Sequence, residues 1–91
     1  MKKETYKLII YGHVQGVFYR SSTKEVADTL HITGWVKNNP DGTVEILASG
    51  TEETLTELIN WCYNGPPMAK VKSIIKTPQP PTIQYETFEI R

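Results

Sequence analysis

One cysteine, Cys62, stands in 91 residues. It cannot close an internal disulfide or supply a multi-cysteine metal site, so stability has to come from the apolar core, as suits a reducing compartment. Net charge is equally scarce, because ten lysines and arginines balance ten aspartates and glutamates. With no overall bias toward nucleic acid or an anionic membrane, any anion must be held by a local site. Long apolar runs are missing too. In the basic opening "MKKETYKLII" the stretch from Leu8 to Ile10 is far too short for a signal-peptide core or a membrane span, and a soluble, cytoplasmic protein is the expectation. Repeats and low-complexity segments are absent, and the length suits a single domain over residues 1–91.

What is present is regular patterning. In "TYKLIIY", residues 5–11, Tyr6, Leu8 and Ile10 fall on one face of an extended strand. "YRSSTKEVADTLH", residues 19–31, places Tyr19, Ser22, Thr23, Val26, Ala27 and Leu30 at helical spacing, with Lys24, Glu25 and Asp28 elsewhere on the helix. "TGWVKN" and "TVEILAS" read as two strands of a hairpin joined by a turn at Asn39, Pro40, Asp41 and Gly42. Thr51 can cap a second helix that carries Glu52 and Glu53 in its first turn and buries Leu55, Leu58, Ile59 and Cys62. Gly65, Pro66 and Pro67 stop it. "AKVKSIIKT" is the next strand, "PQPPT" a stiff connection, and "IQYETFEI" a last edge strand. The order strand, helix, strand, strand, helix, strand, with room for one more short strand at the end, predicts an α+β fold. It is the two-layer ferredoxin-like sandwich (βαββαβ), an antiparallel sheet with two helices on one face.

Fold alone does not specify function, so the chemistry has to be sought in particular residues. "YGHVQGVFYR", residues 11–20, holds two glycines and one of only two arginines in the chain, between the first strand and the first helix. A glycine-bearing turn that runs into a helix points main-chain N–H groups at one spot beside the positive end of the helix dipole, which makes an anion cradle. Gly12 and Gly16 admit close approach, and the Arg20 guanidinium offers a planar fork to two oxygens. Neither the dinucleotide-binding pattern nor the P-loop spacing is met. The same residues would also serve as a tight turn beside a surface arginine, and spacing does not choose between the two.

Two stretches taken together add specificity. "GHVQGVFYR" resembles the first signature of the acylphosphatase family, and "GWVKNNPDGTVEILASG", residues 34–50, resembles the second, through Gly34, Trp35, Asn38, Gly42, Val44 and Gly50. One departure is visible: Tyr19 occupies a position that is usually phenylalanine or methionine, and its hydroxyl must reach solvent or a partner. The resemblance implies hydrolysis of acyl phosphates, the mixed anhydrides of carboxylic and phosphoric acids, to a carboxylate and inorganic phosphate. It implies Arg20 and Asn38 as the catalytic pair, Arg20 gripping the phosphoryl oxygens and Asn38 orienting the attacking water. Phosphate binding would be shared by Gly12, His13, Val14, Gln15, Gly16, Val17, Phe18 and Arg20. The reaction would need no metal and no cofactor. Phosphate would be product and competitive inhibitor, the protein would be a monomer with no nucleic-acid or membrane partner, and a chain that spans little besides the domain favours a stand-alone enzyme.

Plainer readings surround these residues. Asn38 by itself heads a turn, and only its pairing with the Arg20 loop gives it a chemical role; Asn39 stays a turn residue. His13 is expected to face solvent and His31 to be a favourable cation near a helix end, with no spacing that joins them to an acid or a metal set. Cys62 reads as a buried thiol, Trp35 and Trp61 as packing residues, and Ser21 and Ser22 as caps of the first helix or contacts to the phosphate, capping being the favoured reading. A nucleic-acid module of the same topology would need an aromatic RNA-binding signature and a basic surface, and a metal carrier would need a cysteine pair in the first loop; the chain has neither. A regulatory domain that binds phosphate without turnover is separated from an enzyme by activity on an acyl phosphate.

Overall fold

The computed structural model describes residues 3–80 and 84–91. Along the chain lie β1 (Lys3–His13), α1 (Tyr19–Thr29), β2 (Thr33–Asn38), β3 (Val44–Thr51), α2 (Glu52–Asn64), β4 (Lys70–Pro78) and β5 (Phe88–Ile90). The strands form one sheet in the order β4-β1-β3-β2-β5. The β1–β3, β1–β4 and β2–β3 ladders are antiparallel, as expected, and β5 is the additional short strand, running parallel to β2 at the edge. The last strand is shorter than "IQYETFEI" suggests. Gln84 to Thr87 lie outside any strand, and Ile83, with Pro81 and Thr82 of the proline-rich connection, lies outside the described residues.

Alternation decides which side of the sheet the helices cover. Residues i and i+2 of a strand share a face, and Leu8 and Ile10 of β1, Val36 of β2, and Val44, Ile46 and Ala48 of β3 are all fully buried on one side. Against them pack Ala27 of α1 and Leu55, Leu58 and Cys62 of α2. Each large side chain so buried contributes about 1.5–3 kcal/mol relative to exposure. The opposite face carries Lys7, Ile9, Glu45, Leu47 and Trp35 and is left half-covered. Trp35 is therefore not a core residue: its indole Nε1 donates to the Tyr85 hydroxyl at 3.3 Å, and the Arg91 guanidinium lies over its ring.

Two boundaries and one helix cap differ from the sequence reading for local reasons. β1 continues through Gly12 and His13, which pair with Val71 and Lys70 of β4 after a register shift between Tyr11 and Gly12. Gly12 permits this, because a Cβ there would collide with the main-chain oxygen of Lys70. α1 ends at Thr29, and His31 follows in a left-handed conformation with φ of 58°. The Ile32 N–H then bonds the Ala27 carbonyl and the His31 N–H the Asp28 carbonyl, the paired bonds that close a helix end. Neither Ser21 nor Ser22 caps α1. The N-cap position is Phe18, with no side-chain cap bond, and the Ser21 hydroxyl donates to the Phe18 carbonyl instead.

Candidate active site

Topology gathers the residues of interest at one end of the sheet. β3 is antiparallel to both β1 and β2, and β5 is parallel to β2, so β1, β2 and β5 all finish at that end. The connection from β1 leads there into the first turn of α1, which carries Arg20; β2 delivers Asn38 and β5 delivers Ile90 and Arg91. Residues separated by as much as 71 positions become neighbours this way, since Arg20 Nη1 donates to the main-chain oxygen of Arg91 at 3.4 Å. The Arg91 N–H in turn bonds the Val36 carbonyl, two residues before Asn38.

Five residues, 14 to 18, form the loop between β1 and α1. Val14 and Val17 are buried, so their side chains anchor the loop in the core and only their main chain can serve a ligand. Gly16 is exposed, with φ of 75°, and a Cβ on it would meet nothing; glycine is needed there for the turn rather than for space. The Gln15 carboxamide crosses to the hairpin and donates to the main-chain oxygens of Asn39 at 2.8 Å and Thr43 at 2.9 Å. This clamp fixes the loop beside the end of β2. Gly12 and His13, expected within the loop, lie in the last part of β1.

Phe18 closes the loop in the left-handed region, with φ of 66° and ψ of 25°. Its carbonyl receives the Ser22 N–H at 3.1 Å and the Ser21 hydroxyl at 3.2 Å. Arg20 follows in a first turn that holds no acidic residue. A cation at this end opposes the helix dipole, whose positive pole favours anions by about 0.3–1 kcal/mol each. Between the loop and the edge of the sheet lies a cleft of about 320 Å³ walled by Gly16, Phe18, Tyr19, Arg20, Ser21 and Ile90. Cation, open main chain and dipole together suit a dianionic group.

Asn38 is half-buried at the last position of β2, on the helix-facing side that it shares with Val36. It is not among the residues that wall the cleft; the Gln15 clamp holds the loop to Asn39, the next residue along. Asn39 has separate work, because its carboxamide donates to Thr43 Oγ1 and Glu45 Oε1, both at 3.1 Å. Asp41 Oδ1 accepts from the Thr43 hydroxyl and N–H, bonds that hold its carboxyl below the usual range. The turn after Asn38 is thus stiffened from within. Among the described residues no three or more His, Cys, Asp or Glu side chains gather closely enough to hold a metal ion.

Behind the cleft, Tyr19 resolves its departure from phenylalanine. Its ring is buried against Trp61, with centroids 5.5 Å apart, and its hydroxyl donates to the Cys62 carbonyl at 2.7 Å. In a continuing helix that carbonyl would receive the N–H of residue 66, but Pro66 has none. The hydroxyl replaces a donor that the sequence removes, and in doing so ties the first residue of α1 to the last turn of α2. Burial pushes the Tyr19 hydroxyl far above its ordinary pKa and the Cys62 thiol up to about 12, so both stay protonated. Cys62 is buried, as expected, and His13 is exposed.

Of the wall residues, Phe18 was expected in the phosphate loop and is 75% exposed at the cleft, whereas Tyr19 and Ile90 were not expected there. Ile90 had no signal, because its closeness to Arg20 arises only when β5 joins β2.

Fold and cleft together define a class: a two-layer α+β domain with an arginine-bearing cleft beside a strand-to-helix loop at the sheet end. Comparison with known proteins narrows it. The sequence model of the acylphosphatase family matches residues 6–90, and the chain belongs to that family. It is 41% identical to an acylphosphatase of Rubrobacter xylanophilus over 98% of this chain and 83% of that protein. It is 51% identical to one of Cupriavidus necator over 78% and 77% of the respective chains. The crystal structure of the Bacillus subtilis acylphosphatase superposes with a TM-score of 0.93 at 39% identity, covering 97% of this chain and 98% of that one.

Proposed function

We propose that Arg20, the loop before it and Asn38 carry out the acyl phosphate hydrolysis that membership of the acylphosphatase family implies. Supporting this reading above all is Arg20 itself, a cation placed against the helix dipole in the wall of a cleft. Its guanidinium fork grips two phosphoryl oxygens, and the main-chain N–H groups between Gly12 and Phe18, chiefly those of the loop proper, share the charge. The Asn38 carboxamide orients a water in line with the acyl leaving oxygen. That water's oxygen bonds to phosphorus, the P–O bond to the acyl group breaks, and the carboxylate departs with the electron pair. The water proton passes to a phosphate oxygen or to the departing carboxylate.

A mixed anhydride already has a good leaving group, so positioning and charge stabilisation carry the rate. We read the reaction as independent of metal and cofactor, phosphate as a competitive inhibitor, and the protein as a cytoplasmic monomer formed by one domain. No helix among the described residues is long and apolar enough to cross a membrane. The test is phosphate release from benzoyl and acetyl phosphate, with and without chelator and with added phosphate. Asn38→Ala is expected to lower kcat on the order of 10²-fold, the scale of a lost positioning contact, with little change in the phosphate inhibition constant. An equal loss of phosphate affinity overturns the water-orienting role.

A further inference from the structure

Phe18 is an exposed aromatic in a backbone conformation that disfavours it. A non-glycine residue in the left-handed region costs about 1–2 kcal/mol, and a ring 75% exposed recovers little of that by burial. The flanking residues prevent retreat, since Val17 and Tyr19 are only 3% and 2% exposed. The Phe18 carbonyl is held by Ser21 and Ser22. With both neighbours pulled into the core and its carbonyl pinned to the helix, the ring is held outward beside Arg20. Another wall of the same cleft is Ile90, 44% exposed. At about 320 Å³ the cleft lies at the small end of ligand pockets, which start near about 300 Å³, and it offers more room than a phosphoryl group alone requires.

We infer that Phe18 and Ile90 form an apolar shelf that receives the acyl group of the substrate, so that the enzyme selects aromatic and bulky apolar acyl phosphates over small ones. The inference rests on the hydrolytic reading above. Arg20 and the loop fix the phosphoryl end at the start of α1, and the carboxylic end of the same molecule must then extend along the remaining walls. Those walls are Phe18, Tyr19, Ile90 and the small residues Gly16 and Ser21, with no charged side chain besides Arg20. A benzoyl group buries apolar area on this shelf that an acetyl group cannot reach. A charged acyl group would be desolvated there without a partner.

The experiment compares kcat/KM for benzoyl and acetyl phosphate in the parent chain and two variants. Phe18→Asn removes the ring and retains a residue that tolerates the left-handed region; Ile90→Ala trims another wall from a different element. The benzoyl-to-acetyl ratio is expected to fall about tenfold in Phe18→Asn and severalfold in Ile90→Ala. A ratio within twofold of the parent's in either variant, with hydrolysis still measurable, overturns the shelf and leaves the hydrolytic reading standing. Release of phosphate from neither substrate by the parent overturns both.

Discussion

The two helices begin in opposite ways. At α2 every local device agrees: Thr51 sits in extended backbone and accepts the Thr54 N–H, and Glu52 and Glu53 supply negative charge to the first turn. At α1 the N-cap is a left-handed phenylalanine without a side-chain cap, no acid follows, and the charge in the first turn is an arginine. Both helices pack on the same sheet face, so packing does not account for the contrast. The difference fits the site proposed at α1. α2 caps the Thr54 N–H with the Thr51 hydroxyl, whereas α1 has no side-chain cap and adds a cation, an arrangement suited to a bound anion.

Reversing the charge at α1 breaks this comparison most sharply. Arg20→Glu gives α1 the kind of residue that α2 has, and is expected to abolish phosphate inhibition and to cut turnover by at least about 10²-fold. Chemical denaturation should meanwhile show stability unchanged or raised by about 0.5 kcal/mol through the dipole. A variant that remains active defeats the assignment of the site. Next in size is Tyr19→Phe, which leaves the Cys62 carbonyl at the end of α2 without its donor. The expected loss is about 1–3 kcal/mol of unfolding free energy, the cost of an unsatisfied buried group.

The same junction gives a pH dependence. The Cys62 thiol ionises near pH 9 in the unfolded chain and near about 12 in the fold. Above pH 9 the unfolded state therefore binds fewer protons, so stability is full below that pH and declines as it rises toward 12. Tyr19, raised for the same reason of burial, acts in the same direction. Equilibrium unfolding between pH 7 and 11 should show the decline, and a flat profile would contradict the burial of these groups. Smallest is Thr51→Ala, which costs about 1 kcal/mol at α2. Thermal melts should record it with phosphate release unaffected, since Thr51 lies in α2's cap, away from the cleft residues.

Much of the architecture was legible because the sequence obeys its local rules over most of its length. β3 alternates without a break, α2 has cap, charges and stop, and the Asn39 to Gly42 turn has the residues such a turn requires. The reading slipped where local rules are broken. Phe18, His31 and the Gly12 bulge are backbone conformations that side-chain identity does not announce; the first replaced the expected serine cap, and the other two moved an element boundary. Around the cleft, Gly16, Phe18 and Arg20 could be named from the first signature, but Tyr19 and Ile90 could not be read as walls. Gln15 was expected to offer its main-chain N–H to phosphate; the use of its carboxamide to clamp two carbonyls of the hairpin had no signal in the sequence.

The sequence by itself determined the order of the elements, the buried faces of the first strand and the two helices, and, through the family resemblance, the arginine and asparagine of the two signatures, because periodicity and motif spacing are properties of a chain read in order. Only the tertiary structure decided that Arg91 would meet Arg20, that Ile90 would line one cleft with Phe18, and that Tyr19 would stand in for the N–H that Pro66 lacks. Those meetings join residues 43 to 72 positions apart, and nothing local records them. They exist because β5 aligns parallel to β2 and two helices share one sheet face, where burial of the common core sets the geometry that the cleft inherits.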